Sequence, residues 1–281
     1  MILDLFKIRI TALVSITTAF GYLLQKGVID SGIILPVLGI FILACASAAI
    51  NHLQEKDIDI LMKRTKSRPL PSGTMSVNEV IFTVIALIIA GSLVLIINGN
   101  ITVLLLGYTA LIWYNVIYTP LKRKSAFAVI PGSVIGSIPP VAGWVAAGGN
   151  ILDSGSLLLA FFFFIWQIPH FWLLILFLNR DYMNSGLPTV LEKFSKNQLS
   201  RITFTWIVAT AFSGIMFPVF GMIHNAITSY IILGAALILI IYSFALLKNE
   251  IDTPVFRKTF ISVNFYILLL VLIISFDKLY T

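Results

Sequence analysis

Asn51, Glu55 and Asp59 recur every four residues, which places them on one face if the segment is helical. Like charges at that spacing repel on an ordinary exposed helix by a few tenths of a kcal/mol. Oxygen donors aligned this way suit a hard divalent cation, and Mg²⁺ typically takes one or two carboxylates and completes its shell with substrate phosphates. Asp57 lies off that face, directed toward nearby basic residues. An ordinary charged loop would carry the same residue types, and the spacing alone leaves both readings open.

Cations follow at once. Arg64, Lys66 and Arg68 lie within a few residues of the carboxylates. Arg offers phosphate a planar fork and Lys a point charge. A bare metal site would not need three cations beside it, whereas a metal–phosphate site would. Loop cations of a membrane protein also arise from topology alone.

A second polar island, Asn179-Arg180-Asp181-Tyr182, follows a long apolar run, and Asp181 is the only acid between Asp153 and Glu192. It is either a second metal anchor or a solvated helix-end residue. Tyr118-Thr119-Pro120-Leu121-Lys122-Arg123-Lys124 forms a third cluster. Lys122 and Arg123 suit phosphate, a substrate carboxylate or acidic lipid. Within an apolar stretch lies Trp166-Gln167-Ile168-Pro169-His170-Phe171-Trp172. Pro169 loosens a helix there and frees carbonyls beside His170 and Gln167. The aromatic residues would line a cavity for a flat or isoprenoid substrate, or simply pack around a satisfied His.

The elements that must hold these groups are dictated by composition. Of the 281 residues, 59% are hydrophobic and 11% charged, against about 25% charged in soluble domains. So few charges could not wet a soluble surface of this size. Cys45, the only cysteine, sits in an apolar run and rules out a disulfide scaffold. A polytopic membrane protein remains. Stretches free of acidic and basic residues run 10–25, 31–54, 80–121, 125–152, 154–179, 202–247 and 259–276.

A spanning helix needs about 20 apolar residues. The stretches 80–121 and 202–247 are therefore each two helices, broken at Asn98-Gly99-Asn100 and between Gly221 and Asn225. The expectation is an all-α protein of nine transmembrane helices, near 6–24, 32–51, 79–97, 101–119, 127–147, 156–178, 203–222, 227–247 and 258–276. A membrane barrel would alternate over strands of about ten residues, and Phe161–Phe164 alternates with nothing.

With a cytoplasmic N-terminus, the loops near 52–78, 120–126, 179–202 and 248–257 face the cytoplasm. Only Lys26 and Lys278 of the 19 cations then lie outside, as the positive-inside rule requires. Met1–Arg9 is short and basic, but the apolar stretch after it is long and lacks a clear cleavage site, so the first helix is expected to stay. No linker or internal repeat divides the chain, and 1–281 reads as a single domain.

Taken together, the islands resemble the UbiA-type intramembrane prenyltransferases, most closely the branch that farnesylates haem b. The resemblance runs from Lys7 to about Pro188. It rests on Asn51 with the acids after it and Met62-x-Arg64-Thr65-Lys66-x-Arg68-Pro69, then Tyr118-Thr119-x-x-Lys122-Arg123. Gly136-x-x-Pro139-Pro140-x-x-Gly143-Trp144, Trp166-Gln167-x-Pro169-His170-Phe171-Trp172 and Asp181-Tyr182-x-x-x-Gly186-x-Pro188 complete it in order. The family usually carries Asp where this chain has Glu55.

The resemblance implies nine helices around a central cavity that opens sideways to lipid, in a bacterial-type plasma membrane. It implies Mg²⁺-dependent transfer of a farnesyl group from farnesyl diphosphate to a vinyl group of haem b, giving haem O. Asn51, Glu55, Asp59 and Asp181, supported by Asp57, would hold the Mg²⁺–diphosphate centre. Arg64, Lys66, Arg68, Lys122 and Arg123 would bind diphosphate or propionate, near Tyr118 and Tyr182. His170 and Trp166 would form a haem-side wall. A haem-modifying or oxidase-assembly protein is the partner class such an activity implies. The rival readings are a prenyltransferase for a quinone precursor or another tetrapyrrole and, outside enzymes, a membrane transporter.

Overall fold

A computed structural model describes residues 2–62, 64–97, 99–178, 186–248 and 253–280. Among them are nine helices long and apolar enough to span a bilayer and no strand. They are α1 (Ile8–Lys26), α2 (Ser31–Asp59), α3 (Val77–Ile97), α4 (Ile101–Lys122), α5 (Val129–Ala146), α6 (Ser154–Phe177), α7 (Lys196–Val219), α8 (Ala226–Leu247) and α9 (Thr253–Tyr280). Each expected span has its helix, and the ends shift by a few residues.

The breaks expected from turn-forming residues occur for local reasons. Asn100 caps α4, its side chain accepting from the Thr102 and Val103 amides at 3.0 and 3.4 Å. Gly99 supplies the left-handed φ of 78° before it, and Asn98 lies outside the described residues. Asn225 caps α8 through the Ile227 amide at 2.8 Å. Between α5 and α6, Asp153 accepts from the Trp144 indole and the Asn150 amide, which hold its carboxyl below the usual carboxylate range.

Two features of these helices matter for the site. First, α2 runs past its apolar span two turns further to Asp59, as the one-face reading of Asn51, Glu55 and Asp59 requires, there being no proline or glycine until Pro69. Second, α4 contains a π-helical turn at Trp113–Tyr118, a rare geometry that frees backbone groups. Gln54 uses one of them, donating to the Asn115 carbonyl at 2.8 Å. The Thr119 hydroxyl donates to the Tyr114 carbonyl at 2.9 Å, and that carbonyl also accepts from the Thr119 amide.

Helix α1 is pressed against α5 at small residues. A Cβ on Gly143 would lie 1.8 Å from the Thr18 carbonyl oxygen, and one on Gly21 would lie 1.9 Å from that of Pro140. Only glycine permits such backbone approach. Behind α5, Phe162, Phe163 and Phe217 pack edge to face at 5.2–5.3 Å and join α6 to α7. Five of the first six helices, all but α3, thereby line a cavity, and α7, α8 and α9 contribute nothing to its lining.

Candidate active site

The cavity has a volume of about 350 Å³. Its lining comes from α1, α2, α4, α5 and α6, from the turn after α2, and from Leu187–Thr189. One end is charged, carrying Lys7, Glu55, Asp59, Arg64, Arg68 and Lys122. The remainder is largely apolar, with the rings of Tyr114, Tyr118 and Phe171 in its walls.

The charged end is built as three levels along α2. At the C-terminal end of α2, Arg68 Nη1 donates to both oxygens of Asp59 at 2.8 Å. The Thr65 hydroxyl donates to the Asp59 carbonyl at 2.9 Å and ties the following turn to the helix end. One turn deeper, Lys122 Nζ donates to Glu55 Oε1 at 2.9 Å. One turn deeper again, Lys7 Nζ donates to Asn51 Oδ1, and the Asn51 amide donates to the Thr119 hydroxyl at 3.2 Å. Three oxygen-bearing side chains on one helix face therefore meet three cations from three different segments.

Burial gives the arrangement its chemical force. Asn51, Glu55 and Asp59 are 2%, 7% and 1% exposed, a level carboxylates tolerate only when paired or bound to metal. Lys7 is placed by backbone geometry. It is the only non-glycine residue with positive φ among those described, at 48°, where it breaks the chain between a helical turn at Ile2–Leu5 and α1. Its ammonium lies 6.0 Å from the centre of the Tyr114 ring.

Of the residues expected from sequence, Asn51, Glu55, Asp59, Arg68, Lys122 and Tyr118 come together here, and Arg64 lines the mouth. Asp57 and Lys66 are exposed and line no part of the cavity. Arg123 turns back to the Gln54 carbonyl, reinforcing the end of α2. Trp166 and His170 are not in the cavity wall. His170 Nδ1 pairs with Asn264 Oδ1 of α9 at 2.8 Å, and its ring lies 4.9 Å from that of Phe260. On α6 it is Gln167, Phe171, Leu174 and Ile175 that face the cavity. Asp181 and Tyr182 lie outside the described residues.

Sequence reasoning missed Lys7, Tyr114, Thr119 and Gln167 as parts of this site. Lys7 was legible only as a cation at a helix start. Gln167 stood inside a quoted motif, and its place one residue from Trp166 on a helix gives it a different face.

The sequence profile of the UbiA prenyltransferase family matches residues 14–270. The chain belongs to that family. A relative in Oleidesulfovibrio alaskensis, called protoheme IX farnesyltransferase, is 31% identical over 99% of this chain and 96% of its own length. Among solved structures, one of digeranylgeranylglyceryl phosphate synthase superposes with a TM-score of 0.76 at 17% identity, covering 100% of this chain and 98% of that one. A UbiA homologue from Archaeoglobus fulgidus, bound to GPP and Mg²⁺, superposes at 0.66 and 17% identity over 100% and 99%. The helical arrangement is thus the family's, and the chain is a membrane-embedded prenyltransferase.

Proposed function

We propose that the protein transfers a farnesyl group from farnesyl diphosphate to a vinyl group of haem b, giving haem O, with Mg²⁺ as the divalent ion. The ladder of Asn51, Glu55 and Asp59 facing Lys7, Lys122 and Arg68 at the mouth of an apolar cavity carries this reading. A relative called protoheme IX farnesyltransferase that aligns over almost the whole chain supports the choice of donor and acceptor.

The donor set fits a divalent ion. Two buried carboxylates and an amide oxygen on one helix face leave positions that diphosphate oxygens complete. Among the described residues no three His, Cys, Asp or Glu side chains cluster, and diphosphate oxygens would supply part of the shell. When bound, Mg²⁺ supplies charge neutralisation for the leaving diphosphate.

The chain's own groups do the rest. Glu55 and Asp59 would hold the ion, and Lys122 and Arg68, which lie against them, would reach the diphosphate oxygens, where negative charge grows as the allylic C–O bond breaks. The bonding pair leaves with the diphosphate. The vinyl π pair forms the new C–C bond, and a water oxygen completes the hydroxyethyl group with loss of a proton. Tyr114, Tyr118 and Phe171 and the apolar walls keep other water from the allylic cation before attack.

The cytoplasmic side is proposed for the charged mouth, because all but two cations then lie on that side. Incubating membranes that contain the protein with haem b, farnesyl diphosphate and Mg²⁺ tests the activity. The expected product has the mass of haem O. Turnover with an aromatic acid and none with haem b would sink the assignment.

A further inference from the structure

Where α5 and α6 form the cavity wall, it is apolar with one exception. Helix α5 contributes aliphatic side chains, glycine and proline, and α6 contributes Phe171, Leu174, Ile175 and Gln167. Gln167 is the only polar side chain that either helix adds to the lining. Its amide lies against the backbone of α5. A Cβ on Gly136 would lie 1.8 Å from Gln167 Oε1 and 3.3 Å from Nε2, so glycine is what leaves the amide its seat. One turn earlier on α5, the Tyr118 ring covers Gly132 in the same way, 2.6 Å from where a Cβ would stand.

Gln167 Oε1 is buried and has no hydrogen-bond partner among the described residues. A carbonyl oxygen buried in that way loses its hydration with nothing in return, and such a group in an apolar wall calls for a ligand that donates to it. Two hydroxyls elsewhere in the wall are already engaged: Thr11 donates to the Ile8 carbonyl at 3.3 Å, and Ser47 accepts from the Asn115 amide at 2.7 Å. The proposed reaction has one step that requires a donor and that none of the charged groups serves. When the terminal vinyl carbon of haem b bonds to farnesyl C1, positive charge passes to the vinyl carbon next to the ring. A single water oxygen must add there, in a cavity that otherwise keeps water out. The pyrrole nitrogens of haem b carry iron in place of protons, and propionate and diphosphate oxygens accept. Of the reactants, water is the one that donates to a carbonyl oxygen.

We propose that Gln167, seated on Gly136, holds the water that adds to the vinyl-derived cation. The amide oxygen accepts one O–H and leaves the water's lone pair free to meet the carbon. A half-turn about the terminal torsion, which is soft and nearly two-fold, brings the oxygen to the cavity and the nitrogen to Gly136. The lone pair forms the new C–O bond, and the proton that the water loses leaves on the released diphosphate, so atoms and charge balance. This deepens the haem reading of the site and rests on it.

The test reads the product as well as the rate. The purified protein, Gln167→Met and Gly136→Ala are incubated with haem b, farnesyl diphosphate and Mg²⁺, and the products are identified by mass. Thermal stabilisation by farnesyl diphosphate and Mg²⁺ without haem reports folding and donor binding. Without a held water, the cation loses a proton from the neighbouring carbon and gives an alkene lighter than haem O by one water. Gln167→Met should raise the ratio of alkene to haem O about tenfold, the scale of one hydrogen bond lost, with stabilisation by the donor unchanged. Gly136→Ala keeps Gln167 but puts a methyl where the amide lies, and it should move the ratio the same way. An unmoved ratio in folded Gln167→Met, or in Gly136→Ala should the first not fold, overturns the proposal, and so does an equal fall of both products. No haem O from the unaltered protein overturns the acceptor reading and this proposal with it; haem O with an unmoved ratio overturns this proposal alone.

Discussion

Asp59 is the residue on which most of the site converges: it is 1% exposed, receives both bonds from Arg68 and ends the helix that carries the other oxygen donors. Changing Asp59→Asn keeps its size and removes its charge. Prenyl transfer should fall at least about 100-fold, the scale expected when one electrostatic stabiliser is lost, while the protein still purifies as a folded membrane species. Near-normal turnover would remove Asp59 from the centre. Lys122→Met separates binding from support: the apolar stem survives, the ammonium is lost and Glu55 keeps its carboxylate. A fall of about 10- to 100-fold in kcat/KM, or about 1.4–2.8 kcal/mol, is expected, and diphosphate binding measured by calorimetry should weaken with it. Unchanged binding would confine Lys122 to holding α4 against α2. The spacing of Asn51, Glu55 and Asp59 was legible because a helical period of four is visible in any sequence. Lys7 was not, because its place depends on a left-handed backbone that nothing in Phe6-Lys7-Ile8 announces. His170 and Trp166 lie off the cavity wall for a related reason, and His170 pairs with Asn264 as the packing alternative has it: a motif names residues without naming the face, and one step along α6 turns the side chain about 100°.

At the scale of elements, apolar length and turn residues were enough to locate the helices, since Asn100 and Asn225 cap where the breaks were expected. The π-helical turn at Trp113–Tyr118 was hidden, because no proline or glycine occurs within it and its support is the tertiary bond from Gln54. The contact of α1 with α5 sets the position of Lys7 relative to the rest of the cavity, and it depends on glycine. Gly143→Leu places carbon where the Thr18 carbonyl oxygen already sits. A loss of about 3 kcal/mol or more follows from overpacking against backbone that cannot yield, seen as a melting temperature lower by about 6 °C or more in detergent. Gly234→Leu is the control: nothing lies within 4 Å of its Cβ on α8, so the melting temperature should hold. Equal effects at both glycines would mean that helix propensity, and not the α1–α5 contact, is responsible.

Across the whole molecule, the proposed orientation puts the cations of the site and most other cations on one side. Every level of the ladder draws its cation from a segment assigned to one side: Lys7 before α1, Lys122 at the end of α4 and Arg68 in the turn after α2. A site whose cations cluster at one membrane face needs those segments together, and positive-inside bias places such segments in the cytoplasm. Lys26 and Lys278, at the opposite ends of α1 and α9, should then face outward. Cys45 is the sole cysteine and is buried, so Cys45→Ser gives a clean background for labelling. In intact cells, a membrane-impermeant maleimide should label Lys26→Cys and Lys278→Cys, and should label Lys66→Cys and Lys124→Cys only after the cells are opened. The reverse pattern would put the charged mouth, with Arg64 and Arg68, outside and overturn the proposed orientation. Labelling therefore bears on chemistry as well as topology, because the donor enters from whichever side the ladder faces.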